Sequence, residues 1–264
     1  MLPMLELYTS EPNTLFFKPL IALAEKRAAY TTHYFDAAGL EQFAGNFPTD
    51  LESSLQLERE GPLLVHDGTI VSGSFFMLEY ISEALPGPSL MPADSYDAYR
   101  ARAWGQFLGA HLGSCVPVLG TAKYLQPHLA ALDPTWVDGR IAAIEPIERR
   151  AGWLRLRDGT YTSAYLQAVR AKLAAPVSRV EKALKLGPWL AGPAFSVADI
   201  DAYPMLCVLP DLAPDTVNAD ATPRIAEYLG RIAARESVRA ALRCARTPHP
   251  QRQFVPGLEA SRWG

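Results

Sequence analysis

Cysteine is scarce. Three residues, Cys115, Cys207 and Cys244, are scattered over 264 positions, with no CxxC pair and no Cys/His spacing of a metal site. An odd, dispersed set excludes a disulfide framework and points to a reduced, cytoplasmic compartment. An excess of positive charge is also missing. The formal net charge is -3, which leaves no electrostatic footprint for nucleic acid. No apolar run approaches the ~20 residues a membrane span requires, so no membrane partner is expected. The first ten residues, MLPMLELYTS, lack the basic and long apolar regions of a secretory signal. His33, His66, His111, His128 and His249 show no ligand spacing, so no metal is expected.

What is present is ordinary globular material: 49% of the residues are hydrophobic and 20% charged. At ~150 residues per domain the length suits one large or two modest domains. Residues 5–8 read as a short strand ended by a turn-rich segment at 9–14, and residues 15–26 as a helix. Residues 30–35, rich in Thr and Tyr, read as a second strand, so a parallel pair with a right-handed crossover is expected. The pattern over 36–60 is weak, with a short helix around 40–47. The stretch 58–81 is better organised. It has a Gly61-Pro62 lead-in, a strand at 63–66, an Asp67-Gly68 turn, a strand at 69–71 and a helix whose first turn holds Gly73 and Ser74. A serine there can hold an anion with its hydroxyl and a free backbone N–H, although an ordinary hairpin and helix has the same spacing.

Residues 85–92 contain three prolines and one glycine, which marks a break. The expected division is 1–85, a linker at 86–94, and an all-helical part from 95 to 264. Trp104, Phe107, Leu108, Leu112 and Cys115 share one face of a long helix that Pro117 should kink or end. Residues 134–157 form a helical stretch bearing Arg149, Arg150, Arg155 and Arg157, either a solvated face or a partner-facing one. A helical pattern over 161–186 is interrupted by Pro176. Ser196 and Asp199 have the spacing of a capping box, which is a structural device. Helices over 223–234 and 238–243 follow, then an irregular tail from Thr247.

This layout resembles the glutathione S-transferase family, whose fold is α/β plus all-α: a thioredoxin-like N-terminal domain that carries the glutathione site, then a helical C-terminal domain. Gly61-Pro62 matches the family's cis-proline position, and FSVAD at 195–199 matches its C-terminal capping box. Several stretches are similar more narrowly to the glutathione-dependent β-etherases of lignin-degrading bacteria. They are LELY at 5–8, KPL at 18–20, LEQ at 40–42, Arg149-Arg150, RDG at 157–159 and a long helical insertion before Val177. The resemblance implies attack of the glutathione thiolate on a carbon bearing an aryl ether, with a phenolate leaving. A free thiol ionises near ~8.5, so such a site must favour the thiolate.

Carried over by position, Pro62 beside Gly61 would hold the cysteinyl part of glutathione, and Ser74 its γ-glutamyl carboxylate. The acidic residue expected before that serine is Gly73, so the partner for the ammonium is missing. The Asn-Pro-type approach to the cis-proline is replaced by QLERE at 56–60. The thiol-facing serine falls on Phe16 and its asparagine neighbour on Leu15. Thr9, Ser10 and Thr14 are nearby hydroxyls, and Thr14 is the catalytic candidate if the loop is shifted; all three are equally turn formers. Phe16, Trp104, Phe107 and His111 would line the aromatic substrate pocket, although the same face can be core. The resemblance further implies a dimer, here as the degenerate subunit beside a paralogous, competent chain, acting on an aromatic ether. A non-catalytic binding partner, another transferase acting on aromatic electrophiles, an isomerase or a dehalogenase remain alternatives on this scaffold.

Overall fold

The computed structural model describes residues 4–43, 61–144, 147–159 and 161–256, with the side chains of Phe43, Ser74 and Glu148 excepted. The QLERE segment therefore lies outside the described residues. Strand β1 (Leu5–Thr9) alternates buried and half-buried positions, as a strand with one covered face must. It pairs in parallel with β2 (Thr31–Tyr34) and antiparallel with β3 (Leu63–His66), which pairs antiparallel with β4 (Thr69–Val71). The sheet order is β2-β1-β3-β4, the thioredoxin-like layer expected. Asp67 and Gly68 both take positive φ, 49° and 80°, which the two-residue turn between β3 and β4 requires.

Helix α1 (Phe17–Lys26) crosses from β1 to β2, and α2 (Ser74–Ala84) follows β4. The expected helix over 40–47 is a single 3₁₀ turn at Glu41–Phe43 in its described part. The helical part begins with α3 (Ser95–His111), where Asp94 accepts from the N–H groups of Tyr96 and Asp97. α3 stops at His111. Pro117 does not kink it but stands in the first turn of α4 (Val116–Gly120), where a missing N–H costs nothing. A π-helical turn, Thr121–Leu125, runs on into α5 (Gln126–Ala130). The stretch expected as one helix over 134–157 is two, α6 (Pro134–Ala142) and α7 (Ile147–Arg157). Arg157 joins the pair, its guanidinium 2.6 Å from Asp138 and 2.7 Å from Asp158. Part of the arginine cluster is thus internal wiring.

The pattern over 161–186 likewise divides, into α8 (Ser163–Lys172) and α9 (Ala174–Ala183). Pro176 cannot donate to the carbonyl of Lys172, which is where α8 ends. α10 (Val197–Leu206) is buried along its whole length and starts at the expected capping box. The Asp199 carboxylate accepts from the Ser196 N–H and hydroxyl, from the Leu190 N–H and from the Tyr228 hydroxyl. Burial still pushes its pKa up, to about 6. Then come α11 (Leu209–Leu212), α12 (Pro223–Ala233) and α13 (Glu236–Leu242).

α1 is covered on nearly every side, packing against α2, α10 and α13, and its three charged side chains of interest are all engaged. Lys18 Nζ lies 2.7 Å from the Asp201 carboxylate on α10, both groups buried. Glu25 receives two hydrogen bonds from the Arg235 guanidinium, at 2.8 and 2.9 Å, and one from the Ser237 hydroxyl. Lys26 donates to the carbonyls of Ser82 and Pro88, at 2.8 and 3.1 Å, and so fixes the proline-rich connection to α3. One buried cluster runs from Leu7 and Ile21 through Leu108 and Leu206 to Ile232, joining the sheet to the helices.

Breaking a buried ion pair leaves the other charge uncompensated. Lys18→Met should therefore cost about 3–5 kcal/mol in denaturant unfolding, and Lys18→Met with Asp201→Leu should recover much of that loss. Glu25 gives a pH signature. Burial opposes its charge, but the hydrogen bonds and charge of Arg235, with Ser237, outweigh burial and hold its pKa below the ordinary value. A depressed carboxyl pKa stabilises above the unfolded value of ~4.3 and loses that contribution as pH falls through the folded value. Glu25→Gln should lower stability by about 1–3 kcal/mol at pH 7, with the difference from the parent fading below about pH 4.

Candidate active site

The segment between β1 and α1 is buried although it is polar: Thr9, Ser10, Glu11, Asn13 and Thr14 are all at most 6% exposed. Each buried polar group needs a partner, and the partners show what the loop does. Asn13 Oδ1 accepts from the N–H groups of Leu15 and Phe16, at 2.9 and 3.2 Å, and the Asn13 carbonyl takes the N–H of Phe17. Asn13 thereby occupies the two N–H groups ahead of α1 and the first one within it. Ser10 Oγ accepts from the Ala37 N–H. Thr14 is 6% exposed, and its hydroxyl bonds no other described residue, so it stays in place as a candidate hydroxyl.

Phe16 does not line a pocket. It is fully buried, edge-on to Phe35 with centroids 5.5 Å apart, in a cluster with Leu125, Leu129 and Trp153. The expectation of a pocket-lining role is corrected accordingly: a phenyl ring with no polar group belongs in the core. Trp104, Phe107 and His111 form a ladder on α3, with ring centroids 5.7 and 4.5 Å apart. The Arg179 guanidinium of α9 sits 4.4 Å over Phe107. That ladder packs toward α9, and the structure does not bring it together with Thr14 or Phe16.

The second half of the expected site lies at β3 and α2. Pro62 is buried just before β3, and Gly61 is half-buried. No peptide bond among the described residues is cis, so the Gly61–Pro62 bond is trans, a correction to the cis geometry expected; trans is the ordinary state of an X–Pro bond. Gly73 precedes α2 with φ 88° and ψ 118°, a conformation that glycine alone adopts without strain. This gives the missing acidic residue a backbone reason. No side chain caps the first turn of α2 among the described residues, so its N–H groups from Ser74 onward present an open, positive helix end. Neither helix has a side-chain cap at its N-cap residue, but Asn13 takes the N–H groups just ahead of α1, and among the described residues no side chain does the same for α2.

Sequence reasoning missed Glu11. Its carboxylate accepts from the Tyr34 hydroxyl at 2.7 Å, from the N–H groups of Arg246 and Thr247, and from the Thr247 hydroxyl at 3.1 Å. Burial, with the Glu11 hydrogen bond and charge, drives the Tyr34 pKa up, so that hydroxyl stays a donor. The Arg246 guanidinium lies 3.7 Å over the Tyr34 ring. The segment that was expected to be an irregular tail is consequently a strap. Only a 3₁₀ turn, Pro250–Arg252, is regular within it. Further along, Phe254 and Val255 are buried. A Cβ on Gly120 would stand 2.2 Å from the Phe254 ring, so the close approach of strap to α4 depends on that glycine. Between strap and π turn lies a cavity of about 260 Å³. No sequence signal pairs Glu11 with residues 235 positions away.

Comparison with known proteins follows this geometry. Residues 143–236 match the family model described as glutathione S-transferase, C-terminal domain. Protein LigF of Sphingobium sp. strain SYK-6 is 27% identical over 241 residues, covering 89% of this chain and 91% of that one. The crystal structure of β-etherase LigF from the same strain superposes with a TM-score of 0.83 at 25% identity, over 92% of this chain and 100% of that one. The chain has the glutathione transferase fold, and residues 143–236 carry that family's C-terminal domain. Its likeness to the β-etherase exceeds that to glutathione transferase F7 of Populus trichocarpa, which superposes at 0.66 with 16% identity over 91% and 98% of the two chains. A homologue from Sulfitobacter crystallised with bound glutathione shares the fold, at TM-score 0.61 and 22% identity over 90% and 96%.

In this glutathione transferase fold the first turn of the strap is tied to the β1–α1 segment by one carboxylate. Glu11→Leu should cost about 1.5–3 kcal/mol. It should also speed hydrogen exchange at the Arg246 and Thr247 amides selectively, which amide-resolved exchange measures.

Proposed function

We propose that the chain is the subunit of a glutathione-dependent β-etherase that cleaves aryl ethers of lignin-derived aromatics, working in a dimer beside a paralogous, catalytically competent chain. The observation that carries this is the full-length likeness to LigF, with a TM-score of 0.83. In the reaction the glutathione sulfur forms a bond to the β-carbon as the carbon–oxygen bond breaks. The aryl oxygen leaves with the electron pair as a phenolate, which takes a proton from water.

The residues present fit glutathione unevenly. The open start of α2, with the Ser74, Phe75 and Phe76 N–H groups, suits the γ-glutamyl carboxylate. Pro62 leads into β3, whose neighbouring backbone groups suit the cysteinyl part. Gly73 offers no charge to the ammonium, and a buried ammonium without a partner is costly. At the thiol end the α1 donors are already taken by Asn13, leaving the Thr14 hydroxyl to face the sulfur. That division of strengths supports a chain that binds glutathione weakly and relies on its partner for fast chemistry.

Exposed aromatic side chains fit the pairing. Phe76 on α2 and Tyr96 and Tyr99 on α3 are 73%, 67% and 61% exposed, where isolated monomers usually hide such groups. The same thiol-end observations favour a second reading, a subunit that supports its partner without turning over at all. The test is phenol release from a β-aryl ether and glutathione, assayed with the lone chain and after co-expression with a paralogous chain. Little or no release alone with rapid release by the pair is expected, and Thr14→Ala should abolish any turnover by the lone chain. Fast turnover by the lone chain would overturn the degenerate-subunit assignment, and no release in either case would overturn the ether-cleavage reading.

A further inference from the structure

The cavity between the π turn and the strap is assembled with some care. One wall is Thr121–Leu125 and the start of α5, which present Tyr124 and His128. A π turn inside a helix is an uncommon, destabilising insertion and recurs at functional positions. The other wall is the strap, with Thr247, His249, Arg252 and Phe254. Three separate features hold the strap there: the Glu11 carboxylate on Arg246 and Thr247, the bare Cα of Gly120 under the Phe254 ring, and Val255 in the cluster that contains Trp153.

The lining chemistry is specific. Tyr124 and Phe254 lie nearly parallel, 8° apart with centroids at 6.2 Å, so an aromatic face is available. Arg252 stands 5.5 Å over the Tyr124 ring, and two imidazoles, His128 and His249, share the rim. Among the described residues no carboxylate lines the cavity. The nearest acids are already committed, Glu11 to the strap and Asp211 to Lys123 and the Tyr124 hydroxyl. A guanidinium and two imidazoles without an opposing acid favour an anion, and guanidinium geometry favours a carboxylate. Size narrows the class further. Benzene occupies a cavity of about 150 Å³, so about 260 Å³ suits one substituted ring rather than two.

We propose that this cavity binds a single-ring aromatic carboxylate, its ring against Tyr124 and Phe254 and its carboxylate toward Arg252. Thr247 lines the cavity while bonding Glu11, so one wall of the cavity is tied to the β1–α1 segment. The assignment deepens the ether-cleavage reading by naming an acidic ring as the substrate portion held here. It rests on that reading for its catalytic meaning only, since binding is measured without glutathione or turnover.

The experiment titrates the full chain with 4-hydroxy-3-methoxybenzoate and, separately, with the corresponding neutral benzyl alcohol, followed by calorimetry and ligand-observed NMR. The acid should bind at least ten-fold more tightly than the alcohol. Arg252→Gln, at an exposed position where folding is not at stake, should remove most of that preference, and His128→Gln part of it. Glu11→Leu should weaken the acid through loss of the strap. Equal binding of acid and alcohol, or an unchanged preference in Arg252→Gln, would overturn the proposal. A chain that binds the acid as stated yet supports no ether cleavage with any partner would refute the functional reading and leave this site standing.

Discussion

The structure depends on the fixing of one helix. α1 is buried almost all round, and Lys18, Glu25 and Lys26 attach it to α10, α13 and the proline-rich connection. The Lys18–Asp201 pair matters most because both charges are out of water. A buried pair is costly to form and more costly to break, so it enforces one arrangement rather than adding much stability. Asp201 stands on a helix whose own start is locked by Asp199 and Ser196, so the capping box and the ion pair act in series. Sheet and helices are thereby held in one registration, and the site formed beside α1 inherits it.

Against that fixed frame the two helix starts differ in chemistry. At α1 the side chain of Asn13 satisfies the N–H groups of Leu15 and Phe16, and Phe16 is turned into the core. At α2 the positive-φ Gly73 leads to a first turn with no side-chain cap among the described residues. A helix start can favour an anion only with donors that are still free. On the proposed reading, the carboxylate end of a glutathione site would therefore be better kept than its thiol end. The strap adds a third component that belongs to neither helix start, tied to the loop through Glu11.

Much of this was legible in the sequence where the cause is local. Asp67-Gly68 fixed the hairpin because two positive φ angles suit few other pairs. Ser196 and Asp199 announced a helix start by spacing alone. Pro117 was read as ending a helix when it begins one, since a proline is favourable at a first turn and unfavourable four residues later. Phe16 was assigned to a pocket by position, and only tertiary packing against Phe35 shows it is core. The strap was invisible because it has no periodicity, and its contacts with Glu11 and Gly120 span most of the chain.

The central claim is that the frame of a glutathione site survives while its means of activating a thiol does not. Thiolate formation can be followed directly by ultraviolet absorbance of glutathione bound to the lone chain as pH is raised. With the α1 donors held by Asn13, the bound thiol should ionise close to the free value of ~8.5. A bound thiol already ionised at pH 7 would contradict the account.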